Sequence, residues 1–516
     1  MEAKAETITR AVPPAKPKSV PNGGYYKNTI PAPDPELTEI GPGTPMGEYM
    51  RRFWHPVCMS IELTDTPHYL KILDEELVAF RDKSGRVGVL HAHCCHRGAS
   101  LEYGIIKDRG IMCCYHGFQF DVDGTCLDVP FPKGEEKEAE AFAKTIVQGA
   151  YKAFERNGLV FAYMGPPEEE PPFPEWEGDF TVAPGDKLLP YSNWQACNWL
   201  QVQDNAADQY HHIPLHTTAV VPGHEQNTTF GEAGAAPFMI RPDLQFFPIH
   251  EGRGMAWTSS RRVNPERLFI RINHQVLPNV SFHSYLFEDG KAKKHFSRFH
   301  MTRWTVPVYD VNSKMIGWRV MGPGIDTRNL IGPDKEFLIG HESIDFIDGQ
   351  VAMRRPERFG KYKPEDVVPI ITVGEHQDDH RKRSCYKDAQ YAPGDWEAII
   401  SQRPIAVHAL ETPMKFDGGL YLFRKLLRDA VRGTNKAASP EAFKKWFQSV
   451  GAKPNSYCSG NILEVPEAST QEEEVELRRK VAQQCIAAIT DSDKQQGKAR
   501  AEFVKEKMTQ IERTNR

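Results

Sequence analysis

The sequence predicts an α+β protein of two unequal domains, and three observations predict it. Short alternating strands separated by tight turns run from residue 70 to about residue 163. A stretch dense in Pro and Glu interrupts them at 165–179, and mixed strand and helix patterns follow it. The first domain should be an antiparallel β unit, the second an antiparallel sheet with helices.

Length and composition agree with that division. The 516 residues exceed what one core holds, since single cores stop growing near about 250–300 residues. Hydrophobic residues at 40% and charged residues at 26% are ordinary for a globular chain. Lys and Arg total 64 against 69 Asp and Glu, a net charge of -5 that offers no general attraction for nucleic acid. No apolar run approaches the roughly 18 residues of a membrane span, and MEAKAETITRAVPPAKPKSVPNGG lacks the apolar segment of a secretory signal. A cytoplasmic location without membrane contact is expected, and there the ten cysteines read as thiols and metal ligands rather than disulfides.

Along the chain, residues 1–40 are rich in Pro, Lys and small residues and read as a flexible arm. Thr44 and Pro45 look like the cap and first position of a helix. Strands follow in YLKILDEELVAFRDKSGRVGVL and FQFDVDGTCLDV, with hairpin turns at Asp82 to Arg86, Asp123-Gly124 and Asn157-Gly158. After the Pro-rich link, YSNWQACNWLQVQDNAADQYHH reads as a helix ending near Pro214. RLFIRINHQVLPNVSFHSYLF and KKHFSRFHMTRWTVPVYD read as strands; GDWEAIISQ, GGLYLFRKLLRDAV and EAFKKWFQSV read as helices. The expected division is an arm at 1–40, a small β domain at 41–170, a larger domain at 171–460, and a charged helical tail at 461–516.

Two constellations carry chemistry. Cys94-x-His96 and Cys113-x-x-His116 stand with sixteen residues between them, each pair beside a glycine, Gly98 or Gly117. Thiolate with imidazole suits zinc or iron–sulfur. A zinc site usually takes Cys with Cys and His with His, whereas each loop here offers one of each, as a cluster with a two-Cys iron and a two-His iron requires. Cys95 and Cys114 read as small buried residues beside the ligands. The second pattern is Asn205, Asp208, His211 and His216. Three-residue spacing places the first three near one helix face, and Pro214 lets His216 return beside His211. Two imidazoles and a carboxylate on one face make a ferrous centre with open positions. An amphipathic helix that happens to carry histidines, with His212 adjacent, is the plain alternative.

CxHRGASLxxG with CxYHGFxFDxDG resembles the Rieske domain of ring-hydroxylating oxygenases, and the second pattern, in this order, resembles their catalytic domain. The resemblance implies a Rieske 2Fe-2S cluster on Cys94, His96, Cys113 and His116, then a helix-grip (START-like) domain with a mononuclear Fe(II) on His211 and His216. It implies that Asp208 accepts a hydrogen bond from His116 of a neighbouring subunit, in a homotrimer or a multiple of one. GDWEAIISQRPIAVHALETPMKFDGGLYLFRKLL is similar to the C-terminal segment of the phthalate-type members. Asp395 there matches the third ligand, and Asp417 and Arg424 match later features. Gly394 replaces a frequent Gln, and Gln377, Asp378 and Asp379 offer a rival carboxylate.

The chain has no GxGxxG following a strand and no flavin signature, so NAD(P)H would act only indirectly, through a separate reductase with or without a ferredoxin. The substrates implied are O2 and a small aromatic compound, carboxylated in some members, which is hydroxylated, dihydroxylated or oxidatively demethylated. Arg261, Arg262 or Arg271 could receive the carboxylate. A Rieske electron carrier, or a ligand-binding protein without turnover, is the alternative reading.

Overall fold

The computed structural model describes residues 21–24, 29–176, 187–211, 242–284, 292–297, 301–321 and 395–516. Helices α1 (Pro35–Thr38) and α2 (Pro45–Arg51) both open on proline, whose fixed φ suits the first helical position. Thr44 accepts the Gly47 N–H at 3.2 Å, the cap that the sequence predicts. The flexible arm expected over 1–40 is corrected at its C-terminal end. Leu37 and Ile40 are fully buried, Trp199 donates its indole N–H to Leu37 O at 3.2 Å, and Arg428 pairs with Asp34 and Glu36. Apolar burial and ion pairing together hold this segment down.

Strands β1 (Trp54–Met59), β2 (His68–Ile72), β3 (Glu75–Arg81) and β4 (Val87–His91) come next. β5 (Ile105–Ile106), β6 (Ile111–Met112), β7 (Gln119–Phe120) and β8 (Cys126–Asp128) then precede α3 (Glu136–Ala143), β9 (Ala150–Arg156) and β10 (Leu159–Tyr163). Six of the strands form one sheet in the order β1-β10-β9-β4-β3-β2, and β5 to β8 form a separate four-stranded sheet. Turn chemistry follows the sequence. Asn157 and Gly158, at φ 50° and 78°, close the two-residue β9–β10 hairpin, the positive pair that a primed turn needs. Gly110 is the tightest approach: a Cβ there would lie 1.9 Å from Phe120 O.

The larger unit is built on β11 (Lys187–Gln195), α4 (Trp199–Ala207), β12 (Asp243–Ile249), β13 (Gly254–Asn264), β14 (Arg267–Val276) and β15 (Val280–His283). It continues with β16 (Lys294–Ser297), β17 (Met301–Tyr309), β18 (Asn312–Met321), α5 (Asp395–Ile400), α6 (Gly418–Val431), α7 (Pro440–Ser449) and β19 (Ser459–Glu464), then α8 (Gln471–Asp491) and α9 (Gly497–Thr514). The nine-stranded antiparallel sheet runs β11-β18-β17-β15-β14-β13-β12, with β19 on β14 and β16 on β19.

One expectation needs correction, and the helical tail that the sequence predicts proves to be packed. The long helix expected from residue 191 toward Pro214 is a strand followed by a short helix. β11 pairs with β18 from Lys187 to Gln195, Asn198 then caps α4 by accepting the Leu200 N–H at 3.1 Å, and Asp208 ends it in extended conformation. Long-range pairing outweighs local helical pattern here. The charged tail is a helical hairpin packed on the sheet. Val481, Cys485, Ile489, Val504 and Met508 bury themselves against Leu268, Ile270 and Leu463, so the charges mark a solvated face of an amphipathic pair.

The Pro-rich link also packs. Trp54 donates its indole N–H to Pro171 O at 2.9 Å, while Phe161 of the first sheet meets Trp304 and Trp318 of the second at 5.5 and 5.6 Å. No helix among the described residues is long and apolar enough to cross a membrane.

Candidate functional site

Two loops of the first unit are built alike. After β4, the Cys94 N–H donates to Ala99 O at 2.9 Å and the Gly98 N–H to Cys94 O at 2.8 Å. After β6, the Cys113 N–H donates to Phe118 O at 2.8 Å and the Gly117 N–H to Cys113 O at 3.0 Å. Both turns use a left-handed glycine, at φ 75° and 77°. Matching turns present matching pairs. Cys94 and Cys113 are buried at 3% and 1% exposure, and the His96 and His116 rings lie outside them, 4.6 Å apart. Phe118 stacks on His96 at 4.5 Å. Burial, with the Cys113 thiol beside it, pushes the Cys94 thiol up to about 12, so thiolate ligation there has to be driven by a metal. Sulfurs inward and imidazoles outward are a donor set that fits a 2Fe-2S group.

Cys95 and Cys114 are exposed rather than buried, which corrects the expectation. The turns that aim Cys94 and Cys113 inward send the next side chain outward. The Cys95 N–H donates to Gln148 Oε1 at 2.8 Å, and Gln148 Nε2 donates to the His91 and His93 carbonyls at 2.9 Å, tying the loop to β4.

The second constellation gathers where α4 ends. Asn205 stands in its last turn, Asp208 is its C-cap, and His211 follows in the succeeding turn. His211 Nδ1 lies 3.3 Å from Asp208 Oδ2, and its Nε2 lies 3.2 Å from Asp395 Oδ1 at the start of α5. Asn205 Nδ2 donates to the same Asp395 oxygen at 3.3 Å. The three-residue spacing therefore does bring Asn205, Asp208 and His211 together, through a helix end and a turn rather than one helix face. Asp208 Oδ1 accepts the Tyr210 N–H at 2.8 Å, and Tyr210 stacks on Phe416 at 4.4 Å, which holds the turn.

Electrostatics favour a cation here. Burial presses His211 down, but the Asp208 and Asp395 carboxylates outweigh it and lift the imidazole to about 9. Burial likewise works to raise Asp208, and His211 holds it below the usual carboxylate range. His211 and Asp395 supply one imidazole and one carboxylate of the two-histidine, one-carboxylate set that a ferrous site takes. His216, Gln377, Asp378 and Asp379 lie outside the described residues, so the case for Asp395 rests on its own contacts.

A cleft of about 470 Å³ opens on this cluster, lined by Asn205, Asp208, His211, Glu411, Tyr421 and Arg424 among others. Arg424 reaches Glu411 at 2.7 Å and the buried Asp204 of α4 at 2.5 Å, locking α6 to α4. Asp417 heads α6, where it accepts the Met414 N–H at 2.8 Å.

The arginines divide by face. Alternation along β13 turns Arg262 away from α4 to pair with Glu474 at 2.8 Å, so it is a structural ion pair and not the carboxylate receptor the sequence suggested. Arg271 points the other way, donating to Gln209 Oε1 at 2.6 Å, and Arg261 is fully buried on that same side. Asp204, Gln209 and Glu411 escape a sequence reading. Their partners sit on distant elements, and no spacing signal marks them.

The Rieske 2Fe-2S domain family matches residues 53–146. The tert-butanol monooxygenase / tert-amyl alcohol desaturase oxygenase subunit of Aquincola tertiaricarbonis is 40% identical over 92% of this chain and 93% of its own length. The phenoxybenzoate dioxygenase subunit alpha of Ectopseudomonas oleovorans is 31% identical over 81% of this chain and 89% of its own. The phthalate 4,5-dioxygenase oxygenase subunit of Pseudomonas putida is 37% identical over 36% of this chain. With the paired Cys–His loops, the carboxylate-flanked His211 and similarity that runs nearly end to end, this chain belongs to the terminal oxygenase (alpha) subunits of the Rieske non-heme iron oxygenases.

Proposed function

We propose that the chain hydroxylates, dihydroxylates or oxidatively demethylates an aromatic, oxygen-substituted substrate. In this reading Cys94 and Cys113 hold one iron of the cluster and His96 and His116 the other, while His211, His216 and Asp395 hold the mononuclear iron. Residues 41–170 carry the first centre and 171–460 the second. The observation that carries the reading is His211, set between Asp208 at 3.3 Å and Asp395 at 3.2 Å. One carboxylate serves the imidazole from the ligand side, and the other faces the cleft.

When bound, the cluster supplies single electrons and the ferrous ion activates O2. Asp208 accepts a hydrogen bond from the cluster loop of a neighbouring copy docked in the cleft, and it orients His211 through Nδ1. Asn205 orients Asp395. The Asp204–Arg424–Glu411 bridge keeps the cleft wall rigid. Because Asp208 would link neighbouring copies, the assembly closes as a ring, a homotrimer or a multiple of one by its resemblance to the family, fed by a separate reductase with or without a ferredoxin. Relatives named for phenoxybenzoate and phthalate support an aromatic carboxylate, and one named for tert-butanol supports an alcohol.

Metal analysis with electron paramagnetic resonance of the anaerobically purified, dithionite-reduced protein tests the reading. A Rieske signal with about three irons per chain is expected. Zinc without that signal would overturn it, and about two irons per chain with intact electron delivery to a partner would support an electron carrier instead.

A further inference from the structure

The sheet face beneath α4 carries buried donors that lack acceptors. β13 and β14 are registered with Trp257 opposite Asn273 and Ser259 opposite Arg271. Alternation sends all four to one side, the side from which Gln275 donates to the Gln203 carbonyl of α4 at 2.8 Å. Trp257, Ser259 and Asn273 are fully buried. Even so, Trp257 Nε1, Ser259 Oγ and Asn273 Nδ2 find no hydrogen-bond partner among the described residues. Folded proteins tolerate few such groups, and three on neighbouring positions of one face call for a ligand.

The Asn273 amide cannot turn to relieve this. Its Oδ1 accepts the Ser284 N–H at 2.8 Å and the Ser284 hydroxyl at 3.2 Å. A backbone N–H can only donate, so the amide oxygen faces Ser284 and Nδ2 must face away. Arg271 adds positive charge to the same patch. It is 4% exposed, and its hydrogen bonds go to neutral acceptors, Gln209 Oε1 at 2.6 Å and Ser284 O at 3.1 Å. Through Gln209 the patch is joined to the turn that carries Asp208 and His211.

We infer that Asn273 Nδ2, Trp257 Nε1 and Ser259 Oγ form a donor subsite for an oxygen acceptor on the substrate, anchoring it beneath that turn. The occupant is a carboxylate, ether or hydroxyl oxygen, and its anchoring selects which carbon is presented for oxidation. That the occupant is substrate rests on the oxygenase reading; the subsite itself rests on the donors.

The test is equilibrium binding of benzoate, benzyl alcohol and toluene to the anaerobic, metal-loaded, full-length protein, with cluster spectrum and iron content recorded for every sample. At least one oxygen-bearing probe is expected to bind about tenfold or more tighter than toluene, and Asn273→Leu should erase that preference while toluene binds as before. Benzoate ahead of benzyl alcohol assigns a carboxylate held by the Arg271 field; the reverse order assigns a neutral oxygen. Ser259→Ala, a milder change, should lose about threefold and covers the case in which Asn273→Leu does not fold. Oxygen-bearing probes that bind no better than toluene, or a preference that survives these substitutions, would overturn the subsite. Missing iron or a missing cluster signal would count against the oxygenase reading instead.

Discussion

Asn205 Nδ2 and Asp395 Oδ1 meet at 3.3 Å across 190 residues of sequence. The same carboxylate oxygen lies 3.2 Å from His211 Nε2, so the amide fixes the orientation in which Asp395 faces the imidazole. Asn205→Ala should leave the fold and the cluster spectrum intact and weaken retention of mononuclear iron about tenfold to a hundredfold. Iron content after dialysis against a graded chelator reads this directly, and unchanged retention would remove Asn205 from the site.

His211→Ala should abolish mononuclear iron and turnover while the cluster keeps its visible and paramagnetic signature. The cluster loops are held by their own backbone hydrogen bonds, not by α4. If the cluster were lost together with the iron, the two centres could not be independent in the way the two sets of contacts imply.

Asp208→Asn keeps an acceptor beside His211 Nδ1 but removes the charge. Both metals should remain, with single-turnover reoxidation of the cluster slowed by about tenfold or more. Stopped-flow absorbance of the reduced protein mixed with O2 measures it, and a wild-type rate would exclude Asp208 from the electron path.

His55 sets an acid limit on stability. It is fully buried, with Nε2 on Met50 O at 2.8 Å and Nδ1 beside Asn279 Nδ2 at 3.3 Å, so a neutral ring satisfies both neighbours. Burial pushes it from 6.5 down to about 4. The unfolded chain therefore takes the proton first: the stability is present above pH 6.5 and is lost as pH falls toward 4. Between pH 6.5 and pH 5 this group should cost about 2 kcal/mol. Urea midpoints of wild type and His55→Gln across that range should diverge; parallel curves would assign the acid sensitivity elsewhere.

Arg262→Ala takes the two-pronged partner from Glu474, whose side chain is 4% exposed, leaving it Arg478 at 3.6 Å and the Ala468 N–H at 3.1 Å, and should destabilise the protein by about 2 kcal/mol. Because Arg262 faces α8 rather than α4, binding of benzoate to the folded variant should match wild type. A selective loss of benzoate binding would return Arg262 to the substrate side.

Much of this protein was written locally. The Cys94 to Gly98 and Cys113 to Gly117 turns, the Asn157-Gly158 hairpin and the Thr44-Pro45 cap each depend on neighbours within a few residues, so spacing alone announces them. Family membership follows from the same short motifs. Where the sequence reading failed, a distant partner had mostly decided the outcome, apart from Cys95 and Cys114, which their own turns send outward. Residues 191–195 carry a helical pattern yet pair with β18, and the charged C-terminal segment becomes a packed hairpin because the sheet offers it an apolar face.

The division between the two levels is clearest at the oxidation site. Sequence by itself determined which residue types were available, the two Cys–His pairs and the Asn205, Asp208, His211 series, because metal chemistry constrains ligand identity and spacing. Tertiary structure decided that Asp395 meets His211, that Arg424 joins Asp204 to Glu411, and that Arg261 and Arg262 part to opposite faces of β13. Those outcomes depend on which strand faces which helix across hundreds of residues, and the period-2 alternation of a sheet acquires an inside and an outside only once its partners are in place.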